Sequence, residues 1–332
     1  MFNPQYRLTK YLSANLERTA LLLGSLKSLP SKSPARIKIT RDALGRDVHS
    51  STWIEGNLLT LAQVALLVDG KDVEAASKQK AEVKNCINVL RWMIRHKKTS
   101  FTSSQILKLH ATMTKGLLSA DRCGHWRQIQ NYVVNAKQQV IFTPPKPKDV
   151  PKRMEELLTW ILRSKDDHPV VRSAIFHHEF VTIHPFVDGN GRMARALSQW
   201  LLFQGGYDPA HSLGLDEFFA ADREKYYQMI QETREMDLDF THWIEYVSLG
   251  LLQSIEKLSQ RLRSVKMDGR EWTIKQRELI DLLNKHGILG SGDICRMMGI
   301  NRARVNQLIT PLIAASVVLK EGHTRSSKYR VI

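Results

Sequence analysis

The sequence predicts a mainly α-helical fold that carries one β-hairpin and ends in a small helical unit with two short strands. Three observations predict it. Apolar residues recur at three- and four-residue spacing along most of the chain. Spacing of two is confined to residues 131–142 and to two runs near the C-terminus. The 332 residues are 42% hydrophobic, enough for a sizeable core, yet no apolar run approaches the roughly 20 residues of a membrane helix.

The elements follow in order. Residues 72–95 place Ala76, Val83, Cys86, Ile87, Leu90 and Met93 on one helical stripe. Ser103 or Ser104 is placed to cap a helix running to residue 118, and Pro151 suits an early position in a helix over 150–162. Further helices are expected over 168–183, 191–203, 216–234 and 240–263. Between them, Tyr132, Val133 and Val134 face Val140, Ile141 and Phe142 across the polar turn Asn135-Ala136-Lys137-Gln138, and Thr143-Pro144-Pro145 stops this hairpin. A boundary is read at residues 266–270. Beyond it come helices over 272–285, 293–298 and 301–315, then β-runs over 317–320 and 328–332. That order is the pattern of a winged helix-turn-helix.

Cys86, Cys123 and Cys295 are too scattered for a disulfide or metal framework and read as reduced thiols of a cytoplasmic protein. The first twelve residues lack the pattern of a secretory leader, and no membrane contact is expected. The net charge of +16 is concentrated at the two ends: residues 251–332 hold 15 Lys/Arg against 7 Asp/Glu, and residues 1–50 hold 9 against 3. The middle is nearly neutral, as suits an enzyme domain, while the C-terminal part is suited to a polyanion.

Residues 184–195 concentrate the chemistry: His184-Pro185-Phe186-Val187-Asp188-Gly189-Asn190-Gly191-Arg192-Met193-Ala194-Arg195. Glycines on either side of Asn190 let the backbone turn several N–H groups into one concavity, and the helix that starts there adds its positive end. Arg192 and Arg195, three apart on one face, can both reach a polyphosphate. Asp188 offers a hard oxygen ligand for Mg²⁺. His184 can take a proton from a hydroxyl nucleophile. Transfer of a phosphoryl or nucleotidyl group needs little more.

This segment matches, at every defined position, the signature of the Fic family, and the chain resembles that family over roughly residues 40–260. Gly124-His125-Trp126-Arg127, Gln130-Asn131 and Thr143-Pro144-Pro145 resemble its flap, and Ala174-Ile175-Phe176-His177 its helix leading into the motif. The resemblance implies a Fic-type helical domain that transfers AMP from ATP, with Mg²⁺, to a Ser, Thr or Tyr hydroxyl of a target protein. His184 would be the base, Asp188 the metal ligand, and Gly189, Asn190 and Gly191 the phosphate cradle. Arg192 would hold the nucleotide's phosphates, Arg195 the γ-phosphate, and Phe186 would anchor the core. Tyr226 and Tyr227 fall where the family contacts base and ribose, and the hairpin would dock an extended target segment by strand addition.

Ser51-Thr52-Trp53-Ile54-Glu55-Gly56-Asn57 resembles the family's inhibitory motif in the subclass that places it before the catalytic motif. By that resemblance Glu55, with Ser51, occupies Arg195 in a two-pronged ion pair and auto-inhibits the enzyme. In some relatives the same glutamate supports removal of AMP. The expected divisions are 1–100, a helical region with the inhibitory helix at about 40–60; 101–265, the catalytic domain; and 270–332, the winged helix. In the last, Arg302, Arg304, Asn306 and Gln307 are the candidates for DNA contacts, and His323, Arg325, Lys328 and Arg330 for a basic wing. A second copy of the chain is a further candidate partner. Two other readings carry weight beside AMP transfer: a nucleotide-sensing DNA-binding regulator, and an enzyme that transfers another phosphate-containing group.

Overall fold

Helical spacing is realised along most of the backbone. A computed structural model describes residues 1–27, 34–134, 137–208, 213–266, 272–315, 317–322 and 327–331. It opens with helices α1 (Lys10–Lys27), α2 (Pro34–Ile54), α3 (Leu61–Val68), α4 (Ser77–Arg95) and α5 (Ser103–Met113). Strands β1 (Val133–Val134) and β2 (Val140–Phe142) pair antiparallel as the hairpin. Helices α6 (Val150–Arg163), α7 (Pro169–Ile183), α8 (Asn190–Gln204), α9 (Leu215–Ala221), α10 (Arg223–Arg234) and α11 (Thr241–Lys266) complete the body. The C-terminal part comprises α12 (Ile274–His286), β3 (Leu289–Gly290), α13 (Ser291–Met298), α14 (Arg302–Ala314), β4 (Val318–Glu321) and β5 (Lys328–Val331).

The core is built around α7 and α8, which pack on each other and are buried on nearly every side. A helix buried all round needs small residues for close approach, and Ala174, Ala194 and Ala196 supply them. Trp243 of α11 is fully buried, and its indole N–H donates to the Ala174 carbonyl (2.6 Å), which ties α11 to α7. Helix α2 lies against α3, α4, α8, α9 and α11. One apolar core therefore runs from Leu12 to Leu258, and a second from Trp272 to Tyr329. In the second, α12, α13 and α14 pack on an antiparallel sheet of order β3-β5-β4. Strand β3 has only two residues and was not expected.

Several boundaries differ from those read in the sequence. Residues 216–234 form two helices, because Asp222 leaves helical geometry (φ −139°, ψ 79°) and its side chain accepts the Lys225 N–H (2.9 Å), starting α10 afresh. Thr102, not Ser103 or Ser104, caps α5. That helix ends at Met113, where the Thr114 hydroxyl donates back to the His110 carbonyl (2.8 Å) and Gly116 follows with φ +72°. Helix α4 starts at Ser77, and Asp72 pairs instead with Lys80 (3.2 Å). The turn residues Asn135 and Ala136, the boundary residues 267–270 and the wing residues His323 and Arg325 lie outside the described residues.

The cap at Asp222 gives a direct check. Asp222→Ala should lower stability by about 1 kcal/mol in thermal or urea unfolding, the usual cost of losing such a cap; an unchanged midpoint would contradict the assignment.

Candidate active site

The loop between α7 and α8 carries the motif. His184 ends α7 in the left-handed conformation (φ 51°, ψ 59°), which swings the chain out of the helix, and Gly189 (φ 82°) turns it into α8. The Asn190 side chain closes the loop by pairing with both backbone groups of Phe186 (2.8 Å each). Asn190 is 2% exposed, and both polar atoms of its amide are taken up by Phe186. Phe186 is buried, as expected of a core anchor.

His110 of α5 supports this loop from below, and nothing in the sequence pointed to it. Its ring stacks on Phe186 (3.6 Å between centroids), its Nε2–H donates to the Asp188 carbonyl (3.0 Å), and its Nδ1 accepts the Gly124 N–H (2.9 Å). Burial pushes its pKa down to about 4, so the neutral ring that these two bonds require is the stable form.

The His184 imidazole donates through Nδ1 to the Val181 carbonyl (3.2 Å), which leaves the Nε2 lone pair as the free base. Burial lowers its pKa to about 4; the Val181 carbonyl acts the other way and only partly offsets this. A ring that resists protonation stays available to accept a proton throughout the neutral range.

Both motif arginines are paired with carboxylates from the N-terminal helices. Arg195 has no exposed side-chain surface. Its Nε donates to Ser51 Oγ (3.0 Å), and its Nη2 to the Ser51 carbonyl (2.8 Å) and to Glu55 Oε1 (2.7 Å). Asp216 of α9 lies 3.6 Å from Nε and is itself held by Gln199 (2.7 Å). The Glu55 pair is thus a single contact and not two-pronged, because Ser51 and Asp216 take up the Nε side. Burial works against the Arg195 charge, but Glu55, the nearby tyrosines and Asp216 outweigh it and raise the pKa. Glu55 also sits against the glycine cradle: a Cβ at Gly191 would collide with Glu55 Oε1 and push that carboxylate aside.

Arg192 is 3% exposed and pairs through Nη1 with Glu82 of α4 and through Nη2 with Asp188 (3.5 Å). The other oxygen of Glu82 accepts from the Asn57 amide (2.7 Å), which also donates to the Gln79 carbonyl (3.1 Å). The chain just after Glu55 is thereby tied to the same carboxylate that holds Arg192. Glu82 was not picked out in the sequence, where it is one more polar residue on an amphipathic helix.

The two tyrosines differ. Tyr226 is 1% exposed and its hydroxyl bonds to His177 Nε2 (2.8 Å), so it packs in the core beside Arg195. Tyr227, 39% exposed, points its hydroxyl toward the Ile54 carbonyl (3.5 Å) and lies at the rim of the site. Asp188 is exposed, with Oδ1 on the Gly189 N–H (2.6 Å). Among the described residues no group of three or more acidic, His or Cys side chains could hold a metal. A lone exposed carboxylate beside an anion cradle fits Mg²⁺ shared with substrate phosphates, not a closed metal cage.

The hairpin stands over this loop and exposes Tyr132, Val134, Val140 and Ile141. Asn131 at its foot donates to the Phe186 and Val187 carbonyls (2.8 and 3.2 Å). Elsewhere, Cys86, Cys123 and Cys295 are free thiols, and no helix among the described residues is long and apolar enough to cross a membrane.

A loop that joins a histidine, two glycines at a helix start and two arginines is an arrangement suited to holding phosphates. Residues 100–202 match the model of the Fic/DOC family, and the chain carries a domain of that family. Similar proteins include the protein adenylyltransferase Fic of Nematostella vectensis, 29% identical over 64% of this chain and 48% of that protein. The protein adenylyltransferase Fic of Drosophila melanogaster is 30% identical over 68% and 47%. The chain spans about half the length of these curated relatives. Among solved structures, a Fic family protein from Desulfovibrio desulfuricans G20 aligns with a TM-score of 0.69 at 24% identity, covering 100% of this chain and 98% of that one. Fic-1 (residues 134–508) from C. elegans aligns with a TM-score of 0.63 at 23% identity, covering 77% and 73%. At these identities the two structures speak for the fold.

The buried imidazole gives a prediction. In an NMR titration of the folded protein, the His184 ring should protonate near pH 4, because burial disfavours the imidazolium. A midpoint near the ordinary 6.5 would contradict the packing described.

Proposed function

We propose that the chain is a protein adenylyltransferase that moves AMP from ATP to a Ser, Thr or Tyr hydroxyl of a target protein and is held back by Glu55. One observation carries this reading: Glu55 lies on Arg195 and against Gly191, where a phosphate would bind, while the Nε2 lone pair of His184 stays free in the same site. The target hydroxyl would attack the α-phosphorus as His184 Nε2 takes its proton. The bond to the β-phosphate would break, and pyrophosphate would leave. Asp188 would hold Mg²⁺, which neutralises phosphate charge when bound. The backbone N–H groups of residues 189–191 and Arg192 would hold the phosphates, Arg195 the γ-phosphate, and Tyr227 would border the base and ribose. With Glu55 in place the same site is suited to taking AMP off, the carboxylate orienting water.

For the C-terminal part we infer a winged helix that binds duplex DNA. In support, α14 buries Val305, Leu308, Ile309 and Leu312 while Arg302, Arg304, Asn306 and Gln307 are exposed. Lys328 is exposed on β5. Such a face would contact phosphates and base edges.

Two experiments test these readings. With α-labelled ATP, Glu55→Gly should raise transfer to protein at least about tenfold, the scale of an allosteric coupling near 1.4 kcal/mol, and His184→Ala should abolish it. Label arriving only from γ-labelled ATP would mean phosphorylation, and none from either position would favour a nucleotide sensor. For DNA, anisotropy in a salt series should show steep weakening of binding, with the slope reduced by about 2 in an Arg302→Ala, Arg304→Ala double variant. A slope unchanged in that variant would remove the DNA reading.

A further inference from the structure

Arg127 is 2% exposed, and among the described residues no carboxylate pairs with it. A buried guanidinium without a counter-charge is held only if its donors all find acceptors. Here they find carbonyls. Nε donates to the His184 carbonyl (2.8 Å), Nη1 to the Ile129 carbonyl (3.1 Å), and Nη2 to the Pro145 carbonyl and, more weakly, to that of Ile183 (3.5 Å). The Arg127 backbone N–H adds a bond to the Pro185 carbonyl (2.9 Å).

These acceptors come from three places. Ile129 lies on the chain entering β1, Pro145 on the chain leaving β2, and Ile183 and His184 on the turn that ends α7. The fork therefore joins both feet of the hairpin to each other and to the backbone of His184. That backbone sits in the left-handed region, which a non-glycine residue adopts only when its surroundings hold it there. A second arginine works on the same turn: Arg234 of α10 donates to Thr182 Oγ1 and the Val181 carbonyl (3.2 Å each), and its guanidinium lies 3.7 Å from the centre of the Phe142 ring on β2. The Val181 carbonyl is the one that accepts the His184 Nδ1–H.

We propose that Arg127 is a positioning residue that makes the hairpin and the catalytic base one mechanical unit, so that the surface where a target segment docks and the direction of the His184 lone pair are set by the same side chain. This rests on the reading of the site as an adenylyltransferase. Without Arg127 the His184 carbonyl loses its donor, the turn relaxes toward ordinary helical geometry, and the ring loses its fixed Nδ1–H tautomer. A cradle built on residues 189–191 is anchored separately by His110 and Asn190, so nucleotide affinity is left nearly intact.

The test compares Arg127→Gln and Arg127→Lys in full-length Glu55→Gly protein. Ring ¹⁵N shifts of His184 are assigned with His184→Gln, ATP affinity is measured by calorimetry, and kcat and KM for transfer are followed. Arg127→Gln should replace the single Nδ1–H tautomer with a mixed pattern. It should lower kcat about a hundredfold, the cost of displacing a reacting group by about 1 Å, and leave ATP affinity within about twofold of the parent. Arg127→Lys, which keeps one charged donor, should recover part of kcat. Should the Gln variant fail to fold, the Lys variant alone decides by the same readouts. Unchanged ring shifts, or ATP affinity falling in step with kcat, would overturn the proposal. If the Glu55→Gly parent transfers no label at all, the activity reading fails, and the ring shifts and ATP affinity still decide the role of Arg127.

Discussion

A guanidinium taken out of water needs either a counter-charge or carbonyl acceptors for its donors, and Arg195, with no exposed side-chain surface and carboxylates on either side, is the point on which this structure turns. The counter-charges are Glu55 and Asp216, and Ser51 accepts from Nε and Nη2. Any anion that reaches Arg195 from the cradle side has to replace Glu55, because the carboxylate rests against Gly191. On the proposed reading, the position of α2 and the state of the site are one variable. This explains why a helix from the N-terminal region is packed against α8 and α9, in the same core as the motif it faces.

The loop itself is held from several sides at once. Asn190 closes it on Phe186, His110 holds the Asp188 carbonyl, Asn131 and Arg127 hold the carbonyls of residues 183–187, and Glu82 holds Arg192. Nearly all these bonds end on backbone carbonyls. That fits a site whose task is to present a lone pair and a set of N–H groups in fixed directions, since preorganised dipoles stabilise developing charge without rearranging. The neutral His184 and His110 rings belong to the same design: burial keeps both free of protons, so one can act as a base and the other as a one-donor, one-acceptor strut.

The motif was legible in the sequence because its chemistry is contiguous: a base, an acid, two glycines and two arginines within twelve residues allow few other readings. The helical fold, the hairpin and the three C-terminal helices were legible from periodicity. Glu55 could be placed only through the family resemblance, since nothing local ties it to an arginine 140 positions away. Glu82, His110, Asp216 and the acceptors of Arg127 were not legible, because their partners are distant in sequence and mostly backbone, which leaves no mark on residue type. Tyr226 and Tyr227 show the same limit in miniature. Adjacent helical residues point about 100° apart, and only packing against His177 decides that Tyr226 turns inward while Tyr227 reaches the rim. The break at Asp222 was hidden because a capping aspartate reads equally well as a polar residue inside one long amphipathic helix.

The central claim is that Glu55 and the γ-phosphate compete for Arg195. The most direct measurement is the ratio of ADP to ATP dissociation constants, by calorimetry with Mg²⁺, in the parent chain and in Glu55→Gly. The two nucleotides differ only in the phosphate that Arg195 would hold. With Glu55 in place the ratio should stay near one, and in Glu55→Gly it should rise about tenfold or more in favour of ATP, as expected for a newly available charge-assisted contact of roughly 1.5–3 kcal/mol. An equal ratio in the two proteins would mean that Arg195 does not pass from the carboxylate to the phosphate, and the account of the site as a braked enzyme would be wrong.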